Sequence, residues 1–381
     1  MIRNPGLSVA PSKERGVRFE FVDGLRGLAA LAVVLPHVVG LFLYPRPSAV
    51  SELFLRLADY GRSSVEVFFV VSGFAIAYSL RDADADGFGL PRFMLRRAVR
   101  LDPPYWVGLL WAGSVSIVHA RVTHQPIDAP SWQKVLAHLF YLQDILGLGQ
   151  FNIVFWTLCL EFQLYLAFAV MMRLACSTGD THRRVSAGVW AHADRFGWLL
   201  VGAFFASVLL SHTVWPLTPG WFVPYFYLFL AGSLAAWRTQ DRISDGLFQI
   251  CILVMGLALA LRPELARVMG FLTTVVLYAA IRRDALRRWL AGRLPQWLGR
   301  ISYSVYLIHA PLAVFFLGLR TRWSADSKLA SLSCLVGMYL MTVALAAVLH
   351  ATVEVPCLRL AQQLKRRPRA VPSPAQNAPP A

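Results

Sequence analysis

The sequence predicts an all-α fold: a polytopic integral membrane helix bundle with about ten transmembrane helices. Three observations carry that prediction. Of the 381 residues, 57% are hydrophobic and 15% are charged, where a soluble domain carries roughly a quarter charged residues. Apolar runs of about 20 residues recur along the chain, and each is long enough to cross a hydrocarbon layer of roughly 30 Å. The runs are uniformly apolar instead of alternating over about ten residues, so they read as helices and not as barrel strands. A helix also pairs every backbone group inside its own segment, as lipid requires.

The runs fall near 24–44, 65–81, 103–119, 151–172, 196–212, 221–237, 245–262, 265–281, 301–320 and 329–350. An even number of crossings puts both termini on one side. Most of the 37 Lys and Arg fall between spans on that side, with Arg282, Arg283, Arg287, Arg288, Arg293 and Arg300 in the single segment 282–300. The turn around 213–220, on the other side, carries none. Positive residues mark the inside, so the expected location is the inner cell membrane, multi-pass, with both termini cytoplasmic. Topology then accounts for the net charge of +16 without a nucleic-acid partner.

Residues 131–148 (SWQKVLAHLFYLQDILGL) are apolar but short for a crossing, and an interfacial or re-entrant segment is expected there. A full crossing would invert half of the topology. Residues 1–18 read as a polar, basic cytoplasmic tail without a signal-peptide cleavage pattern. Residues 19–364 form the transmembrane domain, and 365–381 a basic, Pro-rich tail that reads as disordered. No repeat of 20–50 residues is found, and internal symmetry of that kind would favour a transporter. Cys159, Cys176, Cys251, Cys334 and Cys357 show neither a disulfide framework nor metal-ligand spacing, so no metal is expected.

Ionisable groups within a bilayer cost about 2.5–3.5 kcal/mol on insertion scales and usually mark function. The first span, DGLRGLAALAVVLPHVVGLFL, has Asp23 and Arg26 at its entrance and His37 eleven residues beyond Arg26. Eleven steps of about 100° bring His37 back to the Arg26 face, about 16 Å along the axis. Pro36 removes a backbone donor and predicts a bend. The fourth span places Glu161 near mid-membrane, with Thr157 and Tyr165 one turn away on either side. His37 with Glu161 would make a base and its orienting group; an interhelical hydrogen bond of purely structural value is the alternative. In the ninth span Ser302, Tyr306 and His309 share a face, either as a wall of the same cavity or as packing glue. Ser72 in FFVVSGF and Trp156 complete the cavity candidates, while the neighbouring Gly73 lets helices approach closely.

Between the second and third spans, PRFMLRRAVRLDPPYW carries Arg92, Arg96, Arg97 and Arg100 at spacings that put several of them on one helical flank. Topology or anionic headgroups account for such a cluster. A clamp for a polyanionic cytoplasmic ligand also accounts for it, because Arg matches phosphate geometry.

Taken in order, DGLRGLAALAVVLPH, FFVVSGF, RRAVRLDPPYW, FWTLCLEFQLYL and LGRISYSVYLIHAP resemble the motifs of membrane acyltransferase family 3, which includes O-antigen and peptidoglycan O-acetyltransferases. The resemblance runs from about Phe21 to about Val355. It implies an enzyme that moves an acyl group, usually acetyl, from cytoplasmic acyl-CoA to a hydroxyl, often on a carbohydrate or glycosylated acceptor. It places the family's arginine–histidine element on Arg26 and His37, its arginine-rich loop on Arg96, Arg97 and Arg100, and its acidic position on Glu161. Acyl-CoA enters as donor and no cofactor is bound. The chain departs from the pattern at Phe162, where a second acidic residue is frequent, and at Asp102, where an aromatic is common. Expected partners are acyl-CoA, the hydroxyl acceptor and membrane lipid. A proton-coupled transporter using a His–Glu pair, and a noncatalytic scaffold, are the competing classes.

Overall fold

Each of the ten apolar stretches carries a helix in the computed structural model, which describes residues 18–38, 49–80, 89–126, 129–177, 195–213, 220–320 and 328–364. The expected tails, apart from Arg18, the end of the first span at 39–44 and most of the 213–220 turn lie outside the described residues. Among the described residues every regular element is helical and no strand forms.

The chain enters through α1 (Glu20–Ala32), breaks at Val33–Val34, and continues as the single turn α2 (Leu35–Val38). The break falls just before Pro36, whose ring supplies no N–H to continue the ladder. Short-range bonds from Val34 N to Leu31 O (3.3 Å) and from His37 N to Val34 O (3.2 Å) take over. Gly61, in α3 (Ala49–Arg62), packs against this break. A Cβ there would meet Ala32 O at 2.3 Å and Pro36 Cδ at 2.8 Å. Next come α4 (Ser64–Ser79) and the long α5 (Leu90–Thr123), which has Pro103 and Pro104 in its interior.

The 131–148 stretch forms only α6 (Trp132–Leu139), capped by Ser131 Oγ accepting from Lys134 N at 3.3 Å. Eight residues of helix are about 12 Å long and do not cross a bilayer core. Turns follow, then α7 (Trp156–Ser177) and α8 (Arg195–Thr213). A 3₁₀ turn (Val223–Tyr225) opens α9 (Phe226–Arg238), followed by α10 (Asp245–Leu261), α11 (Leu265–Arg282), α12 (Arg293–Arg320) and α13 (Lys328–Leu349). A π-turn at His350–Glu354 leads into α14 (Val355–Gln363).

Five stretches among the described residues are long and apolar enough to cross a membrane: Glu20–Val38, Trp156–Leu174, Leu265–Arg282, Arg293–Arg320 and Leu329–Gln363. Gly197–Ser211 and Asp245–Leu261 are apolar but shorter. The 16 residues of α4 and the 13 of α9 amount to about 24 and 20 Å of helix, less than the thickness of a hydrocarbon core. The protein is therefore a helical membrane protein.

Two glycine contacts bring helix backbones together and set the positions of the polar residues. Where α4 crosses α9, a Cβ on Gly73 would lie 1.9 Å from Phe229 O, and one on Gly232 would lie 1.8 Å from Val70 O. Where α1 crosses α12, a Cβ on Gly27 would lie 2.5 Å from Gly299 N. Ser72 stands beside the first contact and Arg26 beside the second, so both are held by backbone proximity that only glycine permits.

Candidate active site

A cavity of about 70 Å³ opens among α1, α4, α5, α7 and α12. Arg26 enters it from α1 and Ser72 from α4. Arg97 and Arg100 enter from α5, the Thr157, Glu161 and Tyr165 stripe from α7, and Ser302, Tyr303 and Tyr306 from α12. The α7 periodicity and the Ser302–Tyr306 part of the α12 periodicity are thus realised as two walls of one space, while His309 lies outside it. Three guanidinium groups face a single carboxylate, leaving a surplus of positive charge.

Glu161 Oε1 accepts from Ser72 Oγ at 3.0 Å and also from the Tyr165 hydroxyl. Arg97 lies within electrostatic reach of Glu161, and its guanidinium sits 5.5 Å from the ring centres of both Phe93 and Tyr165. That stacking orients the cation without consuming its donors. Arg100 Nε is buried with no hydrogen-bond partner among the described residues, an unspent donor at the cavity wall. Tyr303 hydroxyl donates to Leu101 O at 2.9 Å and ties α12 to α5 beside it.

His37 does not line this cavity. Its ring meets His309 edge to face, with centroids 5.1 Å apart. No hydrogen bond joins His37 to Glu161 among the described residues, so the orienting pair expected from depth alone is not the pair that forms. Tyr306 links the two regions. It lines the cavity and packs on Phe68 (6.0 Å) on one side, and its ring centre lies 5.6 Å from that of His309 on the other. Its hydroxyl bonds Thr157 Oγ1 and donates to Val154 O at 2.8 Å.

Asp23, Trp156 and His309, expected in the cavity, do not line it, and neither does Arg96, expected at the acyl-CoA. Asp23 pairs with Arg18 outside the cavity. Arg96 is half-buried on α5 and does not reach the lining. Trp156 packs against Tyr225 at 5.9 Å.

The family model of an acyltransferase domain matches residues 19–351. The chain belongs to this acyltransferase family. It is similar over 96% of its length to "Acyltransferase MdmB" of Streptomyces mycarofaciens, at 27% identity and covering 98% of that protein. It is similar over 75% of its length to "Putative acetyltransferase ORF330" of Acidianus two-tailed virus, at 25% identity and covering 80% of it. No solved structure matches. The chain is a membrane acyltransferase of the O-acetyltransferase-like kind.

Further polar groups of the acyltransferase are visible only in three dimensions. Glu66, in the first turn of α4, is 6% exposed and belongs to a second cavity of about 90 Å³. Arg267, Glu264, Ser211, Tyr225 and Tyr227 share that cavity, and Arg267 donates to Ser211 O at 3.1 Å. Glu354, at the π-turn, takes Ser304 Oγ and His350 Nδ1 on one carboxylate oxygen, each at 2.9 Å, and anchors α12. The 131–148 stretch sends Tyr141 back into the bundle. There its hydroxyl donates to Asp102 Oδ1 at 3.0 Å, and its ring stacks on Phe162 at 5.3 Å. Asp102 and Phe162, the two departures from the family motifs, therefore meet on one side chain. No helical period announces Glu66–Arg267 or Tyr141–Asp102, since their members are far apart in sequence.

Proposed function

We propose that the acyltransferase moves an acyl group, acetyl in the simplest case, from cytoplasmic acyl-CoA to a hydroxyl of a carbohydrate or glycosylated acceptor. The observation that carries the donor assignment is the convergence of Arg26, Arg97 and Arg100 on one cavity. Planar guanidinium groups in a partly dry site suit the phosphates of a CoA thioester better than any neutral ligand. In the ten-span topology with cytoplasmic termini, the start of α1 and the start of α5 both lie at the inner face of the cell membrane. The arginines then stand where a cytoplasmic thioester arrives.

The thioester end passes Tyr306 to reach His37. His37 takes the proton of the acceptor hydroxyl as its oxygen bonds to the thioester carbonyl carbon. The carbon–sulfur bond breaks, and the departing thiolate takes that proton from His37, giving ester and free CoA. An equivalent balance holds if His37 first carries the acyl group on a ring nitrogen and the hydroxyl then displaces it. Glu161, bound to Ser72 and Tyr165, acts in this reading as the counter-charge of the arginine cavity.

The test is thioester turnover by the full chain in lipid vesicles, supplied with acetyl-CoA and a mixture of sugar hydroxyl acceptors. Acceptor-dependent release of CoA supports the reading. Well-folded protein that releases none, while moving protons down a gradient, replaces it with the transporter reading.

A further inference from the structure

The structure points to a partner for His37 that the cavity does not supply. His309 is fully buried. Its Nδ1 lies 2.8 Å from Tyr306 O and 3.2 Å from Val305 O, both carbonyls of its own helix. A carbonyl only accepts, so Nδ1 carries the proton and Nε2 is left as a lone pair. That Nε2 is buried and has no hydrogen-bond partner among the described residues. Buried polar atoms are nearly always paired, and an unpaired one asks for an explanation. Because Nδ1 is tied back to α12, Nε2 is on the other edge of the ring, and the imidazole that meets this ring edge to face is His37, with centroids 5.1 Å apart. The α1–α2 break turns His37 into this position, and Gly61 allows α3 to close behind the break. Glu161 is meanwhile committed to Ser72 and Tyr165.

We propose that His309 is the positioning residue for His37: its Nε2 accepts the N–H of the His37 imidazole and leaves the other His37 nitrogen unprotonated toward substrate. In that arrangement the chain of donors runs from His37 N–H to His309 Nε2, the link the structure leaves open, and from His309 Nδ1–H to the Tyr306 carbonyl. An uncharged imidazole thus fills the place that a carboxylate holds in a Ser-His-Asp triad, fixing tautomer and ring direction without adding negative charge. The titratable or charged groups beside His37 among the described residues are His309 from α12 and Arg62 from the end of α3. Neither is anionic, which suits a base that must hand its proton promptly to the leaving thiolate.

This inference rests on the proposed function for its kinetic arm only. In that arm, His309→Leu lowers kcat by about a hundredfold, within the range for loss of a positioned base, and leaves KM for acetyl-CoA unchanged. His309→Gln, whose amide reaches the place of Nε2 and offers an oxygen acceptor, recovers activity to within about tenfold of wild type. A Gln variant no better than Leu, with both proteins folded, overturns the proposal. The second arm needs no turnover: nitrogen-15 NMR of histidine-labelled full chain in lipid discs. A single His37 tautomer in wild type that becomes a mixture in His309→Leu supports the pair, and identical His37 signals in the two proteins sink it. Absence of thioester turnover in wild type would count against the proposed function while leaving the NMR result to decide the histidine pair.

Discussion

The arginine cavity and the histidine pair lie on the same face of α12, yet they differ in build, and the proposed reaction gives them different tasks. The cavity collects three guanidinium groups, a carboxylate and several hydroxyls around open space. The pair presses two imidazoles together where His309 has no exposure at all. A site that must hold a polyanion needs many donors and some water. A site that must move one proton needs a fixed tautomer and little else. Ser302, Tyr306 and His309 rise along one helix from the first environment to the second, so in the proposed reaction a single helical face grades from binding to chemistry.

If that division holds, variants in the two regions separate in kinetics. The largest effect is expected for His37→Ala, which should lower kcat by about 10²–10⁴-fold while KM for acetyl-CoA stays within about twofold; steady-state CoA release in vesicles measures both. Arg97→Gln should do the reverse. Losing charge-assisted bonds worth about 1.5–3 kcal/mol raises KM for the thioester by about 10- to 100-fold at nearly constant kcat. Gly73→Ala tests whether the cavity depends on the α4–α9 contact. The added Cβ would lie 1.9 Å from Phe229 O, and overpacking costs about 1–3 kcal/mol, read as a lowered unfolding temperature in detergent. The smallest effect is expected for Ser72→Ala, which removes one 3.0 Å bond to Glu161. A loss of about 1 kcal/mol should change KM by less than about tenfold, again by CoA release. An Arg97→Gln variant that lost kcat instead of affinity would erase the distinction between the regions.

Much of the helix plan is legible in the sequence because apolar runs and helical period are local properties. The same locality makes the Thr157–Glu161–Tyr165 and Ser302–Tyr306 walls readable, as both periods reappear around the cavity. The partner of His37 is not local. Depth in the bilayer suggests Glu161, but depth fixes height and not direction around the bundle, and the break at Val33–Val34 turns the ring toward α12. The burial of Glu66 is likewise not a local property. Its neighbours Arg267 and Tyr227 come from helices about 160 to 200 residues away in the chain. Asp23, three residues from Arg26, is taken up by Arg18, and Arg96 points about 100° away from Arg97 on α5 and misses the lining.

The division of labour is tested most directly by equilibrium binding of acetyl-CoA, by calorimetry, to full-length His37→Ala and Arg97→Gln proteins in lipid discs. The account predicts that His37→Ala binds as wild type does, despite its lost turnover, and that Arg97→Gln binds at least about tenfold more weakly. Loss of binding in His37→Ala as large as in Arg97→Gln would contradict it, because the thioester would then be held by the histidine and not by the arginine cavity.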